Sequence, residues 1–243
     1  MSSAELKFDY NYKIISGDCN NFDKSFKIII IGDSGVGKSC LTQKALKNIF
    51  DESYKATVGF DYSILNIKIE DKIIKLQTWD TCGQEIYNSL ISNFYNNTAL
   101  AILVYSVTNK NSFENINMWY KELINSSIHN IDIILLGNKI DLEYQREVST
   151  EEGENLKKKL NLKKFVECSA KNGFNVPGIF IEAAKILYDK YFFNYSDKED
   201  LEYNYYSGCG NTNLDSSRFC AETSILSMKQ INKGVYCWIY FYI

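Results

Sequence analysis

Proline, arginine and histidine are nearly missing from this chain of 243 residues, which has one proline (Pro177), two arginines (Arg146 and Arg218) and one histidine (His129). His129 lies in the polar stretch 125–130 and reads as a solvated loop residue, so no Ser/His/Asp or Cys/His nucleophile system and no metal site is built on it. No run approaches the ~18 consecutive apolar residues of a membrane span. The first thirty residues lack the charged start, apolar stretch and cleavage site of a secretory signal, and Ser2 stands where a myristoylation pattern requires glycine. The seven cysteines (Cys19, Cys40, Cys82, Cys168, Cys209, Cys220, Cys237) are scattered and form no C-x-x-C pair, which points to reduced thiols in a cytoplasmic compartment. Basic charge is not in excess either. Lys and Arg total 27 against 30 Asp and Glu, a formal net charge of -3, which argues against nucleic acid as a partner met through a broad basic face.

What is present is an ordinary globular balance, 45% apolar and 23% charged, sufficient to bury a sizeable core. The length suits one large domain with extensions. From about residue 24 to 191, short β-branched runs alternate with longer helix-period segments, the pattern of an α/β domain around a mostly parallel sheet. Six strands are expected, over 27–31, 63–70, 72–79, 100–106, 131–137 and 164–168. The second and third are separated only by Asp71, so one strand should run antiparallel, and the alternation of Asn66, Lys68 and Glu70 with Ile67 and Ile69 suggests a half-exposed edge. Helices should cover both faces, one beginning at Lys38 and another at Thr150-Glu151-Glu152, where a hydroxyl cap meets early acidic residues. Residues 1–23 and 192–243 lack this rhythm and are expected to be loosely ordered extensions.

Gly32-Asp33-Ser34-Gly35-Val36-Gly37-Lys38-Ser39 matches G-x-x-x-x-G-K-[ST] directly after a buried strand and before a helix, which makes the chain a P-loop NTPase by pattern. Backbone N–H groups from Gly35 to Cys40 would cradle phosphates at a helix N-terminus, and Lys38 would reach the β and γ phosphates. Ser39 would place its hydroxyl on Mg²⁺, with Asp80 as the acidic partner at a strand end. Gly83 and Gln84 follow, one suited to sense a γ-phosphate and the other to orient an attacking water. Asn138-Lys139-Ile140-Asp141 and Glu167-Cys168-Ser169-Ala170-Lys171 follow the last two strands. A carboxylate at Asp141 accepts from both N1–H and the 2-amino group of guanine, donors that adenine lacks, so GTP/GDP should be strongly preferred.

At this point the residues resemble the Ras-like small GTPases, and most closely the Rab branch, over about residues 26–191. Val58-Gly59-Phe60-Asp61-Tyr62, Lys75-Leu76-Gln77-Thr78-Trp79-Asp80 and Ser112-Phe113-Glu114-Asn115 are similar to Rab signatures. The resemblance implies the small G-domain fold and a slow GTP hydrolase acting as a molecular switch in vesicle-mediated protein transport. It implies Thr57 as the switch threonine completing Mg²⁺ coordination, Phe50 against the guanine, Tyr54 over the phosphates and Lys139 along the base. Ala170 would offer its N–H to guanine O6, with Ser169 and Lys171 supporting that loop. Val36 belongs to the phosphate cradle, and Tyr62, Trp79 and Phe94 take the places of an aromatic triad read by effectors. The γ-phosphate would order about residues 50–60 and 82–95, and exchange factors (GEF), activating proteins (GAP) and effectors are the implied partners.

Some residues depart from the family pattern. Cys82 stands where alanine is usual, so the alternative expectation is a Rab-like module that binds GTP with little hydrolysis, or a different Ras-superfamily branch, and Ile86 stands where Rab proteins commonly carry arginine, which alters a surface used by exchange factors and effectors. The last four residues, Tyr240 to Ile243, form no prenylation box, and residues 192–243 hold four basic residues against six acidic ones. The expected localisation is cytoplasmic, with peripheral contact to the cytosolic face of endomembranes through Cys209, Cys220, Cys237 or the apolar run Val235 to Ile243.

Overall fold

The computed structural model of the chain describes residues 9–15, 21–51, 60–81, 95–126 and 131–193. Seven strands form one sheet: β1 (Tyr12–Ile15), β2 (Lys24–Ile31), β3 (Phe60–Ile69), β4 (Lys72–Thr81), β5 (Thr98–Ser106), β6 (Asp132–Asn138) and β7 (Lys164–Glu167), in the spatial order β1-β3-β4-β2-β5-β6-β7. β2, β4, β5, β6 and β7 run parallel, and β3 is antiparallel to both of its neighbours.

The helices are α1 (Lys38–Lys47), α2 (Lys110–Glu114), α3 (Ile116–Ser126), α4 (Thr150–Lys159) and α5 (Val176–Tyr188). The continuous isoleucine run of β2 is explained by burial on both faces. Ile28 and Ile30 pack with Leu41 of α1 and Ile179 and Phe180 of α5, while Ile29 and Ile31 pack with Trp119 and Leu123 of α3 and Leu156 of α4. Each of these two layers closes one side of the sheet.

The structure corrects the sequence reading in three places. The sheet has a seventh strand, because Tyr12–Ile15 from the expected N-terminal extension pairs with Asn66–Ile69. β3 is therefore interior over that length, and Asn66 is 1% exposed rather than on an open edge, although Lys68 and Glu70 remain exposed. Tyr10, just before β1, donates its hydroxyl to Asp189 (2.9 Å) and meets the Tyr188 ring edge-on. The cap of α4 is Ser149, one residue earlier than expected, and its hydroxyl and backbone exchange hydrogen bonds with Glu152 in a capping box. Residues 194–243, with the expectations for the tail, lie outside the described residues.

Candidate functional site

The carboxyl ends of parallel strands in an open α/β sheet are where ligands bind, because loops there face one crevice. Here β2 hands over to the loop Gly32–Gly37, β4 ends with Asp80 and Thr81, β6 ends at Asn138 and β7 at Glu167. The loop after β2 needs its glycines. Gly32 has φ 145, and a Cβ on it would lie 2.1 Å from the Val104 carbonyl oxygen. Gly37 has φ 97, and its Cβ would lie 2.4 Å from the Asn138 side-chain nitrogen. Any larger residue would push the loop off β5 and away from the base loop.

Lys38 opens α1, is 5% exposed, and donates Nζ hydrogens to the carbonyls of Gly32 (2.7 Å) and Asp33 (2.8 Å). Its ammonium is thereby tied to the backbone of the loop that precedes it. The loop is anchored from a second side by Asp33, whose carboxylate accepts from Trp119 Nε1 (2.7 Å) and Asn115 Nδ2 (2.8 Å). Motif reading did not find these two donors, since they lie 82 and 86 residues along the chain from Asp33.

Ser39 donates its hydroxyl to Asp80 Oδ2, bringing together two of the three expected metal ligands. Asp80 is 1% exposed and its Oδ1 has no hydrogen-bond partner. Burial pushes its carboxyl from an ordinary 3.8 up to about 6, against the opposing pull of the Ser39 hydroxyl and Lys38. A hydroxyl and an orphaned buried carboxylate oxygen beside a phosphate loop form the hard oxygen set that suits Mg²⁺.

A cavity of about 450 Å³ opens beside the loop, lined by Gly35, Gly37 and Cys40, by Phe50 and Asp51, and by Asn138, Lys139, Asp141, Leu142, Ala170 and Lys171. Both base loops and the expected aromatic are therefore in one place. Asn138 ties the loops together: its Nδ2 donates to Val36 O (2.8 Å), and its Oδ1 accepts from Ala170 N (3.1 Å) and Cys168 Sγ (3.5 Å). In this structure the Ala170 N–H is thus donated to Asn138. Lys139 takes φ 70, an uncommon left-handed conformation for its residue type, and reaches over the cavity to Gly35 O (2.6 Å). Its burial lowers the ammonium pKa, an effect that Cys40 and Asp141 partly offset. Ser169 donates to Asp141 Oδ1 (2.6 Å), fixing that carboxylate at the cavity wall. Cys40 is half-buried, and burial raises its thiol pKa, which makes it a poor nucleophile.

Of the aromatic triad, Tyr62 is 44% exposed and its ring lies 4.9 Å from that of Trp79. Tyr54, Thr57, Cys82, Gly83, Gln84 and Phe94 fall outside the described residues.

Three comparisons agree with this geometry. The Ras family model matches residues 27–189. The chain is 41% identical over 170 residues to the Ras-related protein SEC4 of Candida albicans, covering 70% of this chain and 80% of that one. It is 41% identical over 175 residues to the Ras-related protein SEC4 of Saccharomyces cerevisiae, covering 72% and 80%. The family match runs from β2 to the end of α5, through every loop that lines the cavity, and the chain belongs to the Ras family of small GTPases, on its Rab branch.

Proposed function

We infer that this chain is a Mg²⁺-dependent guanine-nucleotide switch of vesicle traffic that binds GTP and GDP in the cavity between Phe50 and the two base loops. The observation that carries the reading is the convergence of Asp141, Lys139, Asn138 and Ala170 on one cavity that continues into the phosphate loop. Asp141, oriented by Ser169, would accept from the guanine N1–H and 2-amino groups, and Lys139 and Phe50 would lie along the two faces of the base. Lys38 and the loop amides bind the phosphates. Ser39 and Asp80, with Thr57, would hold Mg²⁺, which supplies charge neutralisation at the β and γ phosphates.

Hydrolysis needs an attacking water placed by Gln84, and release of the γ-phosphate would free Thr57 and Gly83 from their contacts with it. Among the described residues no arginine lines the cavity, so the unaided rate should be slow, on the order of the 10⁻⁴ s⁻¹ of Ras without an activating protein, and an activating protein should supply the missing charge. Tyr62 and Trp79 offer a paired aromatic surface to effectors, with Phe94 as the third member. No helix among the described residues is long and apolar enough to cross a membrane. Peripheral contact with endomembranes and exchange by a GEF complete the reading.

Single-turnover hydrolysis of bound GTP tests it. The expected result is slow conversion to GDP that requires Mg²⁺ and is abolished in Gln84→Leu. GTP that stays intact for hours in the parent protein would instead support a binding module held on by Cys82.

A further inference from the structure

Arg146 is one of only two arginines in the chain. Its guanidinium forks onto Glu167, with Nη1 donating to Oε1 (2.7 Å) and Nη2 to Oε2 (3.3 Å). The remaining donors are also engaged: Nη1 reaches Val148 O (3.0 Å), Nε reaches Glu143 Oε2 (2.9 Å) and Nη2 lies 2.9 Å from that same oxygen. The pair is largely withdrawn from water, with side chains 15% and 2% exposed. Thr150 Oγ1 adds a third donor to the Glu167 carboxylate (3.1 Å), and the Glu167 carbonyl accepts from Asn175 Nδ2 (2.9 Å).

Place matters more here than strength. Arg146 directly follows the 3-10 turn Ile140–Gln145 that carries Asp141, and Glu167 is the last residue of β7, immediately before Cys168-Ser169-Ala170-Lys171. The two loops touch each other at the cavity through Ser169 and Asp141 (2.6 Å), and through Ile140 N and Cys168 O (3.3 Å). Arg146 and Glu167 do not line the cavity, yet they join the same two segments. A buried ion pair is poor evidence of stabilisation, because an apolar pair of similar volume commonly does as well. What a bidentate guanidinium–carboxylate fork supplies and an apolar pair does not is a fixed distance and a fixed plane between two segments.

We propose that the Arg146–Glu167 fork is a clamp that sets the spacing of the two guanine loops, so that Arg146 is a positioning residue for base selectivity and for retention of the bound nucleotide. Paired hydrogen bonds from one carboxylate to one base edge need Asp141 placed to within a few tenths of an ångström. A clamp outside the cavity controls that placement without touching the ligand. The inference rests on the guanine reading above.

Two variants test it. Arg146→Lys keeps a positive charge beside Glu167 but replaces the planar fork by a single ammonium. Arg146→Met with Glu167→Gln removes both charges, so that none is left buried without a partner. For each, the dissociation rate of GDP in Mg²⁺, the affinity ratio of GDP to inosine diphosphate (which lacks the 2-amino group), the single-turnover hydrolysis of bound GTP and the melting temperature are measured. The parent comes first: if it fails to prefer GDP to ADP, the guanine reading itself is lost, a failure separate from that of the clamp.

With the parent behaving as expected, GDP should leave Arg146→Lys about 10-fold faster, the scale of a small misplacement of a binding group, and the GDP preference over inosine diphosphate should shrink. The double variant should follow it. In both, the effect should fall on dissociation and base preference rather than on hydrolysis of GTP already bound. Variants that keep the parent's GDP dissociation and base preference while only the melting temperature moves, or that fail to fold altogether, would show a purely structural pair and overturn the proposal.

Discussion

Asp80 is the residue at which burial and charge conflict most directly. With burial dominant its carboxyl titrates near 6 in the folded protein, above its ordinary 3.8. The folded state then holds a proton that the unfolded state has released, so between about pH 4 and 6 stability falls as pH rises. A shift of about two units is worth up to about 3 kcal/mol. Nucleotide-free, Mg²⁺-free protein should lose urea resistance across that window, and Asp80→Asn should flatten the loss. Saturating GDP and Mg²⁺ should remove it in the parent, because a cation at Oδ1 favours the ionised form; equal slopes in parent and variant would contradict the assignment. Asp141 supports a second expectation at this scale. Asp141→Asn places an amide donor where the 2-amino group of guanine needs an acceptor, while xanthine presents a carbonyl there. GDP affinity should fall about 10³-fold or more, as for other buried polar mismatches, with xanthosine diphosphate becoming the preferred ligand in competition titrations.

The elements explain why some of this was readable from sequence and some was not. The parallel strands stand out because strands covered on both faces must be continuously apolar, as Ile28–Ile31 shows. The phosphate loop and the two base loops are contiguous motifs, so each could be recognised without the fold. β1 could not, because Tyr12–Ile15 is only four residues long and becomes a strand through the edge that β3 offers it. The ties that hold the loops, Asp33 with Trp119 and Arg146 with Glu167, join residues 86 and 21 positions apart and carry no local signature. Two measurements belong here. Gly153 on α4 lies so close to Phe165 that an added Cβ would sit 2.2 Å from the ring. Gly153→Ala should therefore cost about 1–3 kcal/mol by overpacking, seen as a lower urea midpoint with an unchanged slope. Deleting residues 1–20 removes β1, which pairs with the end of β3 remote from the phosphate loop. It should lower the melting temperature while GDP affinity stays within about twofold, as expected for distant, independent sites.

At the scale of the whole molecule, one sheet covered on both faces carries at one end a set of loops that bind one another through Asn138, Lys139 and Ser169. In the proposed reading these loops hold the base and the phosphates, and Thr57 and Gln84 respond to the γ-phosphate. A switch of this kind depends on discrimination between bases before discrimination between GTP and GDP, since a site open to adenine nucleotides would be filled regardless of the guanine pool. The most direct test is a competition titration of the purified chain with GDP and ADP in Mg²⁺. The account predicts that GDP binds at least about 10⁴-fold more tightly, the penalty for leaving the Asp141 acceptor and its partners unpaired. Comparable affinities for GDP and ADP would contradict the role of Asp141 and, with it, the reading of this cavity as the site of a guanine-nucleotide switch.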